Sequence, residues 1–452
     1  MPTETQTIAG LARALRAREI TSAAVTEESL AQIAGKNPSL NAFIAVFGEE
    51  ARAQAQQADK EIAAGRYRGP LHGVPISIKD LLDVRGTTTT AGSRVRTGHV
   101  AESDAPAIAN LREAGAVFVG KCNLHEFAFG TTNEDSAFGP ARHPLDASRS
   151  PGGSSGGSAI SVATGMAFAS IGTDTGGSIR IPAAACGVVG LKPGYDEVST
   201  AGVVPLSRTM DHVGPLCRTA GDAALLYDVL RGIAPQETPP RREVSGVRLG
   251  IPRDYFMAIL DPQVASSFEG ACDRLRSAGA EIEDVRIPHA NDIAPIYLHI
   301  VLAEAAAYHA TALESRADDY TPNVRLRLEM GRYILAEDYA RALRGRDILK
   351  REVSAALEGR DALFLPALPI PAPKLGVGTV KVGATEEPVR NITLRLTQLF
   401  NLSGHPAIAL PCGHTLEGLP IGGQLVGATG KTRDLLELAH SLEPYLAPGI
   451  SR

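Results

Sequence analysis

The stretch Ser150–Arg180, SPGGSSGGSAISVATGMAFASIGTDTGGSIR, holds two glycine-flanked hydroxyl clusters. One is Gly152-Gly153-Ser154-Ser155-Gly156-Gly157-Ser158 and the other Gly172-Thr173-Asp174-Thr175-Gly176-Gly177-Ser178. Glycine lets backbone approach a ligand closely and adopt positive φ. A pair of flexible Ser/Gly linkers is the plain alternative. Apolar sequence follows each cluster at once and neither cluster repeats, so convergence of two loops on one small site is the better reading.

A serine hydroxyl attacks poorly until a base removes its proton. Three motif readings compete for these serines. A phosphate-binding loop would need a Gly-Lys-Ser/Thr ending, which the first cluster lacks. Gly152-Gly153-Ser154-Ser155-Gly156 matches GxSxG, but a nucleophile elbow needs an apolar strand just before it, and here Arg142–Pro151 precedes and ends in proline. The third reading pairs both serines with Lys79, at the end of Val74-Pro75-Ile76-Ser77-Ile78-Lys79. Leu71, Val74, Ile76, Ile78, Leu81 and Leu82 surround it, and burial lowers a lysine pKa towards a neutral, basic amine. A second serine could relay the proton, and N–H groups of the Thr175-Gly176-Gly177 turn could hold an oxyanion.

The rest of the composition narrows the classes. The chain has 452 residues, 44% apolar and 21% charged, with a formal net charge of −5. That supports a large core and argues against wholesale disorder. The absence of a basic run argues against a nucleic-acid surface. Five cysteines without paired spacing fit a reduced, cytoplasmic setting. No signal peptide or run of eighteen apolar residues is evident, so no membrane span is expected. His125 and Glu126 lack a second pair at ligand spacing, so no metal is expected. Cys186 lies in a small apolar run and reads as a core residue.

Positioning these residues requires alternating helices and strands. Helices are expected at Thr21–Ile33 (Thr21 as cap), Glu49–Ala64, Asp104–Ala114 (Asp104 as cap), Thr219–Leu230, Pro262–Ala278, Asp292–Glu314, Glu337–Leu357, Glu387–Asn401 and Lys431–Leu442. Strands are expected at Val74–Lys79, Ala116–Gly120, Val247–Ile251, Ile282–Val285, Ala362–Pro366, Ala407–Pro411 and Gly422–Gly427. Leu191–Gly194 and Thr209–Pro215 read as turns. The alternation predicts one α/β unit with a mixed or parallel core sheet.

These residues also carry a family resemblance. GVPISIKD at 73–80, GKCNLHEFAFGTTNEDSAFGPARHP at 120–144, GGSSGGS at 152–158, GTDTGGSIRIPAAACGVVGLKPG at 172–194, DHVGP at 211–215 and HPAIALPCG at 405–413 resemble the amidase signature family of hydrolases. The match is dense from about 70 to 220 and extends more thinly over the whole chain. It implies a central mixed, twisted β-sheet flanked by helices on both sides. Residues 1–70 would form an N-terminal helical part, 71–245 the catalytic core and 246–452 a C-terminal part with substrate-pocket helices.

The resemblance also implies roles. Ser178 would be the acylated nucleophile, and Ser154 the bridging residue behind a cis peptide bond to Gly153. Lys79 would be the base, and Thr175, Gly176, Gly177 and Ser178 the oxyanion donors. Ser155, Asp174 and Arg180 would support the site. The sequence departs from the family pattern at Asp196-Glu197, where a Gly-Arg pair is usual, which bears on local loop geometry and rim charge but not on the triad. No cofactor, metal, nucleic acid or membrane partner is implied. The substrate would be a small-molecule amide, with anilides, esters and carbamates open to the same chemistry, and a homodimer is compatible. The alternative is the A-type glutaminase component of a tRNA-dependent amidotransferase; Tyr297–Arg346 lacks features associated with that branch. The loops around Phe127–Asn133 and parts of 290–400 are expected to line the pocket.

Overall fold

The computed structural model describes residues 6–235 and 241–447. Thirteen strands are present among the described residues: β1 Phe43–Val46, β2 Pro75–Lys79, β3 Val117–Cys122, β4 Ala169–Asp174, β5 Val189–Lys192, β6 His212–Cys217, β7 Arg248–Pro252, β8 Glu281–Val285, β9 Ala362–Pro366, β10 Thr379–Val382, β11 Thr385–Pro388, β12 Ala407–His414 and β13 Pro420–Val426. Eleven form one sheet in the order β1-β3-β2-β4-β6-β5-β12-β13-β9-β7-β8, and β10 and β11 make a separate hairpin. Neighbours are parallel at β3-β2-β4 and at β9-β7-β8, and antiparallel elsewhere. The sheet is therefore mixed, and helices flank it. One continuous core runs from Ile8 to Leu446 and includes residues of all three stretches of the chain.

Both faces of the central strands are covered. In β2, β3, β4 and β6 every residue is buried. Short continuous apolar runs suit that environment better than strict alternation does. A polar side chain placed there is closed off from water on all sides, and this happens to Lys79, Thr173 and Asp174.

Several local expectations need correction. Thr21 caps its helix by accepting from the Ala24 amide at 3.1 Å, but that helix runs on to Leu40. Asp104 is not a helix cap. The helix Pro106–Glu113 starts behind Ala105, and Asp104 instead takes hydrogen bonds from the Arg85 amide and the Arg112 guanidinium. Leu191-Lys192 ends β5 rather than opening a turn, and His212–Pro215 lies in β6. Their prolines and glycines suggest turns, but sheet pairing, of β5 with β12 and β6 and of β6 with β4, overrides local propensity. Glu387–Asn401 is not one helix: strand β11 is followed by two short helices, Val389–Leu394 and Leu399–Leu402.

The helix Ile293–Arg316 is long and apolar enough to cross a membrane by length and composition. Tyr297, Ile300, Val301 and Leu302 on it are buried, and it packs against the helices Pro322–Gly331 and Ala336–Leu357. A core helix of this size passes the same test.

Candidate active site

Strand β2 delivers Lys79 to the middle of the fold, fully buried. Its Nζ donates to Ser154 Oγ and to Thr173 Oγ1, each at 2.7 Å. Burial pushes the Lys79 amine down to about 7, and the charges of Asp174 and Asp211 work against that fall. An ammonium in this place has exchanged water for two hydroxyls, so the neutral amine is favoured. Near neutral pH a large share of molecules then carries a lysine able to accept a proton.

Strand β4 sorts its side chains by alternation. Thr173 faces Lys79, and Asp174 faces the other way into a polar cluster. Arg180 grips Asp174 through Nε at 3.1 Å and a terminal nitrogen at 3.0 Å. Asn401 donates to the same carboxylate at 2.8 Å, and Arg180 reaches on to Asn401 and Gln424. Burial pushes the Asp174 carboxyl up, but the Arg180 guanidinium outweighs it and holds the group well below the usual carboxylate range. Asp174 also accepts from the Ile179 amide at 3.1 Å, which folds Thr175–Ser178 into a loop over the end of β4.

That loop admits nothing larger than glycine at two positions. A Cβ on Gly176 would lie 2.4 Å from the Tyr297 hydroxyl, and one on Gly177, at φ 137°, would lie 2.3 Å from Thr397 Oγ1. Thr397 Oγ1 donates to the Gly176 carbonyl at 2.6 Å, and Thr175 Oγ1 to Asp211 at 2.6 Å. The loop's oxygens are thus held outward by partners in a turn and a loop. Among the described residues no protein acceptor faces the N–H groups of Gly176, Gly177 and Ser178. Three such donors in one turn, near a serine, are the arrangement that stabilises developing negative charge.

The first glycine cluster packs underneath. The Gly153–Ser154 peptide is cis. Glycine at 153 is required because a Cβ there would lie 2.9 Å from the amide nitrogens of Thr132 and Asn133. Ser155 donates its amide to the Ser178 carbonyl at 3.1 Å, and its hydroxyl to the Thr173 carbonyl at 3.2 Å. Ser178 itself is 5% exposed. No hydrogen bond joins the Ser154 and Ser178 hydroxyls in this structure; such contacts commonly tighten only with substrate bound.

The structure thus gathers Lys79, Ser154, Ser155, Asp174, Thr175, Gly176, Gly177, Ser178 and Arg180 into one place. Reasoning from sequence missed Thr173, Asp211, Tyr297, Thr397 and Asn401. Alternation along β4 was a usable signal for Thr173; residues 297 and 397 fall in the broad 290–400 span expected at the pocket, but nothing in the sequence singled out either of them or Asn401. Cys186 is buried and its thiol donates to the Pro151 carbonyl. His125 lies 3.2 Å from Asp135, and Glu126 accepts from Thr321, so these two serve loop packing. Asp196 is exposed, whereas Glu197 is half-buried and accepts from the Gly194 amide, Tyr227 and Thr432.

The chain has known relatives in sequence and in fold. The family profile described as Amidase matches residues 24–436. An amidase of Pseudomonas putida is 41% identical, over 91% of this chain and 90% of its own. The A-type component of the glutamyl-tRNA(Gln) amidotransferase of Geobacter sp. (strain M21) is 38% identical, over 97% of this chain and 96% of its own. A solved structure described as an amidase superposes with a TM-score of 0.92 at 39% identity, covering 97% of this chain and all of that one. The family match and these relatives make the chain a hydrolase of amide C–N bonds. The chain belongs to the amidase signature family, whose enzymes act on small-molecule amides.

Proposed function

We propose that the chain is a stand-alone amidase working through Ser178, Ser154 and Lys79. The observation that carries this reading is the 2.7 Å hydrogen bond between Lys79 Nζ and Ser154 Oγ in a dry environment. Neutral Lys79 accepts the Ser154 proton while Ser154 accepts that of Ser178. Ser178 Oγ then bonds to the amide carbon, and the carbonyl oxygen takes the negative charge towards the N–H groups of the 175–178 turn. Collapse breaks the C–N bond. Ser154 protonates the leaving amine and is itself reprotonated by Lys79, so the amine leaves neutral and Ser178 is left as an ester. Water, deprotonated through the same relay, attacks that ester and releases the acid. No cofactor, nucleic acid or membrane enters the cycle. A cytoplasmic enzyme fits the five free, buried thiols, and a homodimer is compatible with the chemistry.

Assay of Ser178→Ala and Lys79→Ala on a chromogenic anilide tests the assignment. Both lose turnover by roughly 10³-fold or more; undiminished turnover in either refutes it. The amidotransferase relatives support a second reading, release of ammonia from glutamine for a partner protein. Glutaminase assay of the purified chain, with size exclusion in the absence and presence of candidate partner proteins, separates the two. Amidase activity of the isolated chain without glutaminase activity supports the first.

A further inference from the structure

Beside the Ser154 loop lies a cavity of about 440 Å³, lined among others by Thr131, Thr132, His125, Asp135, Arg327 and Arg390. Its wall is shared with the site. Thr131 and Thr132 press on Gly153, and Thr393, one turn beyond Arg390, donates to Thr131 at 2.9 Å. On the other side Tyr297 touches Gly176 and stands close enough to Arg390 to feel its charge.

The two arginines of this cavity differ. Arg327 donates to the Phe129 carbonyl and stands 3.8 Å from Asp135. Asp135 is further shared with His125 and Asn323, and Glu134 accepts from the Gly376 amide. Arg390 forms no ion pair and donates no hydrogen bond among the described residues, and its Nε is sealed from solvent. Its one side-chain contact of note is with the face of Phe129, 5.9 Å from the ring centre, a face that Arg327 also approaches at 5.6 Å. Other half-buried arginines are partnered. Arg395 donates to the Tyr255 carbonyl and stacks on its ring, and Arg360 has its Nε 2.7 Å from the Glu283 carboxylate and donates to two carbonyls. Fully buried Arg180 has Asp174, Asn401 and Gln424.

A guanidinium stays charged in proteins, and Arg390, half-buried with a sealed Nε and no ion-pair or hydrogen-bond partner among the described residues, has its charge poorly compensated. Here two guanidinium groups also repel each other across one ring. An anion seated between them would remove both penalties, and a carboxylate matches the planar fork. We infer that the cavity is an anion subsite in which Arg390 receives the carboxylate of a carboxylate-bearing amide substrate. This rests on the amidase reading and specifies its substrate class.

The test compares matched amides: glutaramate against valeramide, with the carboxylate on the acyl side, and N-acetylglycine against N-ethylacetamide, with it on the amine side. The parent enzyme favours the charged member of at least one pair by kcat/KM. Arg390→Met reduces that preference by roughly 10–100-fold, the size of a charge-assisted hydrogen-bond pair, and Arg390→Lys falls between. Calorimetric titration of glutarate into Ser178→Ala, with and without Arg390→Met, reads the subsite without turnover. Arg390-dependent glutarate binding with no hydrolysis of any amide keeps the subsite and sinks the amidase reading. No charged preference in either pair, or an unchanged preference and unchanged glutarate affinity in Arg390→Met, overturns the subsite.

Discussion

The Ser155 amide donates to the Ser178 carbonyl across 3.1 Å. This one backbone bond fastens the two glycine clusters together, so the hydroxyl of residue 154 and the turn at 175–178 cannot drift apart independently. Preorganisation of this kind matters because a small misplacement of reacting groups costs rate steeply. The same bond ties Lys79 to Ser178, since Lys79 Nζ is held by Ser154 Oγ and by Thr173 Oγ1 below it.

The first prediction concerns pH. Burial holds the Lys79 amine at about 7. The base is competent only when neutral, so kcat/KM rises with pH through an apparent pKa near 7 and then levels. Asp211, pushed up to about 6 by burial, gains its proton lower down and deepens the acid limb as its bond to Thr175 changes character. A pH–rate profile on an uncharged amide checks this. A profile flat down to pH 5 would rule out a neutral-lysine base.

The same shift sets a stability trade. The folded pKa of Lys79 lies below the unfolded lysine value of roughly 10.4, so between the two the unfolded chain binds more protons. The Lys79 contribution to folding therefore becomes more favourable as pH rises through that window. Lys79→Met removes the penalty. Calorimetric melting should show the variant, though inactive, more stable than the parent at pH 7, by several degrees, with the gap closing towards pH 10. A variant that melts lower at pH 7, with a gap independent of pH, contradicts the account.

Lys79, Ser154 and Ser178 were legible in the sequence because their chemistry is rare and each sits beside glycine or at a strand end. Asp174 and Arg180 lie close in sequence and could be suspected as a pair. Tyr297, Thr397 and Asn401 were hidden, because only tertiary packing brings those distant helices against Gly176, Gly177 and Asp174. The helix–strand alternation gave the α/β class and left the sheet mixed or parallel; the mixed sheet followed from the family resemblance. It did not give β5 and β6 in full, since their glycines and prolines read locally as turns while pairing with β4 and β12 makes them strands.

Thr173 supplies the second prediction about catalysis. It accepts one Lys79 N–H at 2.7 Å and so aims the remaining amine geometry at Ser154. Thr173→Val keeps the shape and removes the acceptor. We expect kcat to fall by roughly 10–100-fold, in the range of a general-base contribution, with KM little changed. Thr173→Ser, which restores the hydroxyl, should recover most of the rate. Equal activity of the Val and Ser variants would show that the hydroxyl does not orient the lysine.

The buried ion pair gives a prediction about folding. Arg180→Met leaves Asp174 without its cation inside the fold, although Asn401 remains. Breaking a buried pair from one side costs about 3–5 kcal/mol. Urea unfolding should show that loss near pH 7. The loss should shrink in acid, because a carboxyl freed from Arg180 can take up a proton that it refuses in the parent. An unaltered midpoint would place the pair outside the stabilising network.

The last prediction uses the contact between Gly176 and Tyr297. A Cβ at 176 would lie 2.4 Å from the Tyr297 hydroxyl and 2.8 Å from the ring carbon that bears it. Gly176→Ala must therefore push the turn or the helix Ile293–Arg316, and either motion re-aims the N–H groups of 176–178. Loss of one oxyanion donor costs about 10²–10³ in kcat, and a displaced turn should cost at least that. Tyr297→Phe deletes the closest atom while keeping the ring, so the double variant should regain part of the rate lost by Gly176→Ala alone. Thermal melting of all three proteins separates geometry from folding: the rescue must appear in kcat among variants that are folded at the assay temperature. If the double variant is no faster than Gly176→Ala, the clash with Tyr297 is not what disables the turn.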